Sequence, residues 1–154
     1  MKRSLPAVAI PAVALAVAAL AGSSSASYAP SASAASSTAK VELSTTKLGK
    51  VIATSGGRTL YMFGADKGHK SACFGACATA WPPLTTSGKP KAGSGVLASK
   101  LGTISRGGGV KQVTYNGHPV YRFQGDARAR QTNGEGINAF GGTWHALSAR
   151  GKGV

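Results

Sequence analysis

Two cysteines, three histidines and four carboxylates are the side chains of this 154-residue chain best suited to bond making, proton transfer or metal binding. Cys73 and Cys77 stand at C-x3-C spacing, the reach of one helical turn. In an oxidising compartment such a pair defaults to a disulfide. The competing reading, a metal or redox pair completed by His69, lacks the paired spacing of a zinc knuckle. His118 precedes Pro119 and His145 follows Trp144, and neither has a second histidine at i+3 or i+4. If their strands met, His118 and His145 would offer a weak soft-metal site, copper-like, with Met62 as a further ligand. Four acidic residues cannot build an EF-hand, and a two-carboxylate hydrolytic site would use half the supply. No G-x-S-x-G elbow occurs, and Gly107-Gly108-Gly109 lacks the Gly-Lys-Ser/Thr of a phosphate loop. The sequence offers no recognisable active site, so catalytic residues and cofactors are expected to be absent.

The remaining chemistry is duplicated. Ala53 to Asp66 aligns with Val113 to Asp126 at a constant shift of 60, bringing Tyr61 onto Tyr121, Phe63 onto Phe123 and Asp66 onto Asp126. A three-residue insertion then sets Trp81 onto Trp144. Coincidence of the rarest residue types in one register indicates a tandem duplication. Each Tyr/Asp pair is open to two readings. One is a ligand site per repeat for a cation or polar molecule. The other is a turn lock, with the Asp accepting backbone N–H groups in an Asx-turn and the Tyr filling the core.

These residues need a frame. Ser55-Gly56-Gly57 and Tyr115-Asn116-Gly117 lie between alternating apolar runs, and Asn-Gly signals a tight hairpin. After each turn, Tyr61/Phe63 and Tyr121/Phe123 share a face predicted to point inward. Leu60/Met62 and Val120/Arg122 share the other, and the Val120/Arg122 face is expected to be partly solvated. Gly107 to Gly109 leads into a strand over Val110 to Tyr115. The one helix is predicted over Ala72 to Ala80, stopped by Pro82-Pro83. The fold class is therefore mainly β: two tandem diverged β-hairpin repeats packed as one small domain around one core, with one short helix near Cys73 and Cys77. Phe63, Trp81, Phe123 and Trp144 are the core aromatics of the repeats.

Lys2 and Arg3 precede an uncharged apolar run from Leu5 to Ala21, which reads as a secretory signal peptide. Cleavage is expected after Ala21, or as late as residue 27. Pro6 and Pro11 interrupt the run, and it falls short of a membrane span. Residues 22–40 form a Ser/Ala-rich flexible spacer. The folded domain is placed at 41–149, with repeat one about 47–84, repeat two about 104–148, and a tail over 150–154. Eighteen Lys and Arg stand against four Asp and Glu, a net charge of +14. Loss of Lys2 and Arg3 on processing leaves +12. The charge is dispersed, with no basic run or amphipathic basic helix, which disfavours a specific nucleic-acid partner.

The pattern resembles a family of bacterial secreted-repeat proteins with a Y-x4-D motif, many of them read as lipoproteins. Its carriers are Tyr61 to Asp66, Tyr121 to Asp126, Cys73 to Leu84 and Asn138 to Trp144, and the likeness spans about Leu48 to Ser148. The resemblance implies a secreted or envelope-attached repeat domain of unassigned activity and carries no mechanism. Ser23 stands where a lipobox Cys would follow the apolar run, so no lipid anchor is expected. The expected function is a non-enzymatic, monomeric module, extracellular or wall-associated, that binds an anionic wall or envelope polymer through salt-sensitive attraction. The alternative is an extracellular copper-like metal protein, or a redox or haem-associated one.

Overall fold

The computed structural model describes residues 37–154. The expected signal peptide and most of the expected spacer lie outside them. The strands are β1 (Lys40–Thr46), β2 (Gly49–Thr54), β3 (Tyr61–Phe63), β4 (Thr85–Thr86), β5 (Lys91–Ala92), β6 (Leu101–Ser105), β7 (Lys111–Tyr115), β8 (His118–Pro119), β9 (Asn138–Ala139) and β10 (Gly142–Ala146). One helix, α1 (Ala76–Ala80), follows β3, and a 3-10 turn (Ala98–Lys100) precedes β6. The fold is mainly β with a single short helix among the described residues, as the duplicated hairpin pattern predicts.

Each repeat begins with a hairpin, β1–β2 or β6–β7, and its chain then turns into a central strand. Asn116 and Gly117 both take positive φ, 51° and 83°, which is the backbone a two-residue primed turn requires. The central strands meet each other: Tyr61 and Tyr121 exchange both backbone hydrogen bonds, at 2.9 and 3.0 Å. Beyond that bridge the repeats trade partners. β3 of the first repeat pairs with β10 of the second. Pro83, just after Trp81 of the first repeat, pairs with Tyr121 of the second. β4 continues onto β7, and the chain after β10 continues onto β2 through Val51 and Ser148. The same bonds recur on both sides, Leu84 N–H to Val120 and Leu147 N–H to Leu60. A local pseudo-two-fold axis through the Tyr61–Tyr121 bridge produces that reciprocity. Each repeat thus ends as an added strand on the other's hairpin.

Three expectations need correction. The constant register of 60 fails upstream of the turn, where Val113 takes the place of Ile52: both carbonyls accept from the central strand, from Val120 and Leu60 respectively. The β6–β7 connection is one residue longer than the β1–β2 one, the next turn is one residue shorter, and the two changes cancel. The helix is also shorter than Ala72 to Ala80. Gly75 is left-handed at φ 56°, and the Arg106 guanidinium takes the Cys73 carbonyl at 2.5 Å, so no helix propagates back through residues 71–75. Nor is there one core. Tyr61, Phe63, Tyr121 and both tryptophans form one cluster, while Leu60, Val120, Ile52 and Leu147 form a second. The central strands are buried on both faces, so Val120 is fully buried and only Arg122 of its pair is exposed. Residues 150–154 turn back along the end of β10. Leu147 pairs with Gly153, and Val154 donates to Ala146 at 3.0 Å. At the other end, Ala39 N–H of the expected spacer donates to Thr86 Oγ1 at 3.0 Å.

Because each sheet is completed by the other repeat, the two must unfold together. Leu147→Ala removes a fully buried side chain at the second repeat's crossover and should cost about 2–5 kcal/mol. In urea, fluorescence and near-UV dichroism should still report one coincident transition. Two resolved transitions would mean that the repeats are independent units.

Candidate functional site

The paired Tyr and Asp residues do not bond within their own repeats. The Tyr61 hydroxyl donates to Asp126 Oδ2 at 2.6 Å, and the Tyr121 hydroxyl donates to Asp66 Oδ2 at 2.9 Å. The second oxygen of each carboxylate holds its own loop. Asp66 Oδ1 accepts from Ala72 N–H at 2.7 Å, and Asp126 Oδ1 accepts from Asn133 N–H at 2.9 Å. These are clamps across six and seven residues, not Asx-turns. Burial raises the Tyr61 pKa, and the hydrogen bond and charge of Asp126 add to it. Burial likewise raises that of Tyr121, with Asp66 adding. Burial also lifts the carboxyl of Asp66, against the Ala72 N–H, the Tyr121 hydroxyl, Arg106 and His118, which all favour the ionised form.

The two sides are supported differently. Ser71 Oγ lies 2.7 Å from the Tyr121 hydroxyl and accepts from Arg106 at 2.7 Å. Arg106 also donates to Gln112 Oε1 at 2.8 Å, and the buried Gln112 amide donates to the Val120 carbonyl at 3.0 Å. Around Tyr61 the comparable addition among the described residues is the Gly134 N–H, at 3.3 Å. Sequence reading missed Arg106 and Gln112, because neither position repeats.

The four core aromatics form one stack. Phe63 lies on Trp144 at 4.1 Å, Trp144 on Trp81 at 3.9 Å with planes 2° apart, and Trp81 on Phe123 at 4.2 Å. Tyr61 meets Trp81 edge-on at 5.3 Å, and Tyr121 meets Trp144 edge-on at 5.1 Å. The Trp144 indole N–H is buried without a partner. Cys73 and Cys77 are disulfide-bonded beside this cluster, with Cα atoms 5.2 Å apart.

The histidines acquire separate partners. His145 Nδ1 lies 2.8 Å from Glu135 Oε1, and the opposed residue across the β3–β10 ladder is Met62. His118 pairs with Tyr115 across the β7–β8 ladder, and the His69 ring lies against Gly117. No three His, Cys, Asp or Glu residues converge as a metal cage among the described residues.

Dispersed basic residues, in contrast, are brought together. Arg58 and Arg122 line a cavity of about 50 Å³ with Pro82, Phe123 and Gln124. Arg122 also borders a second depression, of about 280 Å³, with Lys40, Thr54, Ser55 and Thr85. Ser55 in turn borders a third, of about 480 Å³, with Arg130, Ser44 and Thr45. The shared residues make these one groove. Gly57 shapes the third depression: φ is 74° there, an added Cβ would approach Ala129 Cβ to 3.0 Å, and the Gly57 carbonyl accepts from Arg130 N–H at 2.9 Å. That contact sets the arginine-bearing loop 128–130 against the turn that carries Arg58. The one carboxylate in the groove, Glu42, pairs with Lys40 at 3.3 Å. Arg58, Arg122 and Arg130 have no ion pair among the described residues.

Crossed pairing predicts a distinctive coupling. In a double-mutant cycle, Tyr61→Phe and Asp126→Asn should couple by about 0.5–3 kcal/mol, whereas Tyr61→Phe and Asp66→Asn should come close to additive. The reverse pattern would restore pairing within repeats. A raised carboxyl pKa also sets a sign. Folding takes up a proton at Asp66, so its contribution is most favourable below the unfolded carboxylate range and is lost as pH rises through the folded value. Between pH about 7 and about 4, acidification should therefore stabilise the parent protein relative to Asp66→Asn, read as the difference in urea midpoints.

A family model described as a secreted repeat of unknown function matches residues 42–85 and again 102–148. The two matched segments are the two intertwined repeats. Comparison with curated proteins and with solved structures gives no significant match. No described helix is long and apolar enough to cross a membrane. The chain belongs to the family of secreted repeats of unknown function and carries its repeat twice.

Proposed function

We propose that this protein is a non-enzymatic secreted module that holds an anionic polymer of the cell wall or envelope along the arginine groove. The observation that carries the reading is the convergence of Arg58, Arg122 and Arg130, drawn from three chain segments, on adjoining depressions without carboxylate partners among the described residues. Guanidinium groups present fixed forks of donors that match phosphate and carboxylate oxygens. The hydroxyls of Ser44, Thr45, Ser55 and Thr85 supply neutral donors between them. A net charge of +14 on the whole chain adds a long-range attraction that steers a polyanion towards the protein. Such binding is electrostatic and weakens as salt shortens the screening length.

Inorganic polyphosphate, titrated at several salt concentrations, tests the reading. The parent protein should bind with an affinity that falls as salt rises. Arg58→Ala with Arg122→Ala should lose roughly tenfold, about 1.4 kcal/mol, and should show a shallower salt dependence. Lys67→Ala, outside the groove, should behave as the parent does. Equal losses for all these variants would reduce the attraction to net charge and remove the groove from it.

A further inference from the structure

The core contains more than packing requires. Two tryptophans lie face to face at 3.9 Å, each touched edge-on by a tyrosine whose hydroxyl bonds a carboxylate. Indole and phenol are among the side chains most readily oxidised by one electron. A phenol is oxidised easily only if its proton can leave at the same moment, and it then needs a base within hydrogen-bond reach. Tyr115 is an instructive contrast. It is equally buried, but its hydroxyl donates to the Ala149 carbonyl, which cannot keep a proton. Tyr61 and Tyr121 have the carboxylates of Asp126 and Asp66 instead.

The stack also reaches outward. Its terminal ring, Phe123, is only partly buried and lines the cavity shared by Arg58 and Arg122. An anionic oxidant held by those guanidiniums would sit in contact with a ring that is itself stacked on Trp81. Phe123 need not be oxidised to serve there; it keeps water out and shortens the path to the indoles.

We infer that the Trp81–Trp144 pair, with the crossed Tyr61–Asp126 and Tyr121–Asp66 pairs, is a relay that accepts one oxidising equivalent from an anionic one-electron oxidant and stores it as a tyrosyl radical. The steps balance. The oxidant gains one electron from the indole pair, leaving an indole radical cation. Tyr61 returns an electron to the indole while its hydroxyl proton crosses the 2.6 Å bond to Asp126 Oδ2. The products are the reduced oxidant, neutral indole, a neutral phenoxyl radical and a protonated Asp126. One electron from any one-electron reductant, with return of the proton, restores the start. The relay stands on the core geometry and not on polymer binding, so either can fail alone.

Hexachloroiridate(IV), an anionic outer-sphere oxidant that is reduced to iridium(III), is a suitable probe. It would be mixed rapidly with the full chain carrying Tyr28→Phe, which removes the one phenol outside the described residues. Freeze-quench electron paramagnetic resonance should show a tyrosyl signal that survives Tyr115→Phe. The signal should be lost in Tyr61→Phe with Tyr121→Phe, leaving an indole radical. Trp81→Phe with Trp144→Phe keeps a ring at each position and should lose the rapid tyrosyl formation. Should that variant not fold, the rate of the first step decides: the indole radical of the Tyr61→Phe, Tyr121→Phe variant must form at least as fast as the tyrosyl signal of the parent. Tyrosyl formation as fast without the indoles, a radical confined to Tyr115, or indole oxidation slower than tyrosyl formation would each overturn the relay.

Discussion

A tyrosine hydroxyl taken out of water must find an acceptor, and in this fold the acceptor is the carboxylate of the other repeat. Leaving such a group unpaired in the interior costs several times what a typical hydrogen bond returns. The crossed Tyr61–Asp126 and Tyr121–Asp66 bonds are therefore a condition for burying both tyrosines. Much else depends on them. Each carboxylate also anchors the loop that follows it, and those loops deliver Trp81 and Trp144 to the same place. There the indoles stack, and the chain after each tryptophan lies on the other repeat.

Duplication created this frame, and divergence made its halves unequal. One pair is buttressed by Ser71, Arg106 and Gln112, which join Asp66 and Tyr121 to the backbone of β8's continuation. The other rests on Gly134 and Asn133. A disulfide fixes the first post-motif loop, while the second closes through a tight turn with Phe140 and Gly141 at positive φ. Outside the core the same divergence builds the groove. Arg122 is exposed where its counterpart Met62 is partly covered, so the two sides of the pseudo-two-fold carry different charge.

The sequence made the duplicated motif legible because aromatic and acidic residues are rare in this chain and fall twice in one register. Alternation identified the Tyr/Phe face, Asn116-Gly117 identified a turn, and export made a disulfide the default. Each of these is a local signal. The Val120/Arg122 face is partly solvated as alternation implies, with Arg122 exposed, but alternation describes one strand and does not reveal the second apolar layer that covers Val120. The helix was over-extended because Gly75 and a distant guanidinium, from Arg106, interrupt it.

What the sequence determined by itself was therefore a two-copy, mainly β architecture and the identities of the residues that repeat. Tertiary structure alone decided which tyrosine meets which aspartate, since a register alignment relates the copies but does not say whether they pair within or across. It also decided that Arg58 faces depressions adjoining those of Arg122 and Arg130, which lie more than sixty residues further along the chain. Both outcomes follow from one physical cause. Strand exchange across the Tyr61–Tyr121 bridge folds each repeat onto the other, and long-range pairing of that kind leaves no trace in local spacing.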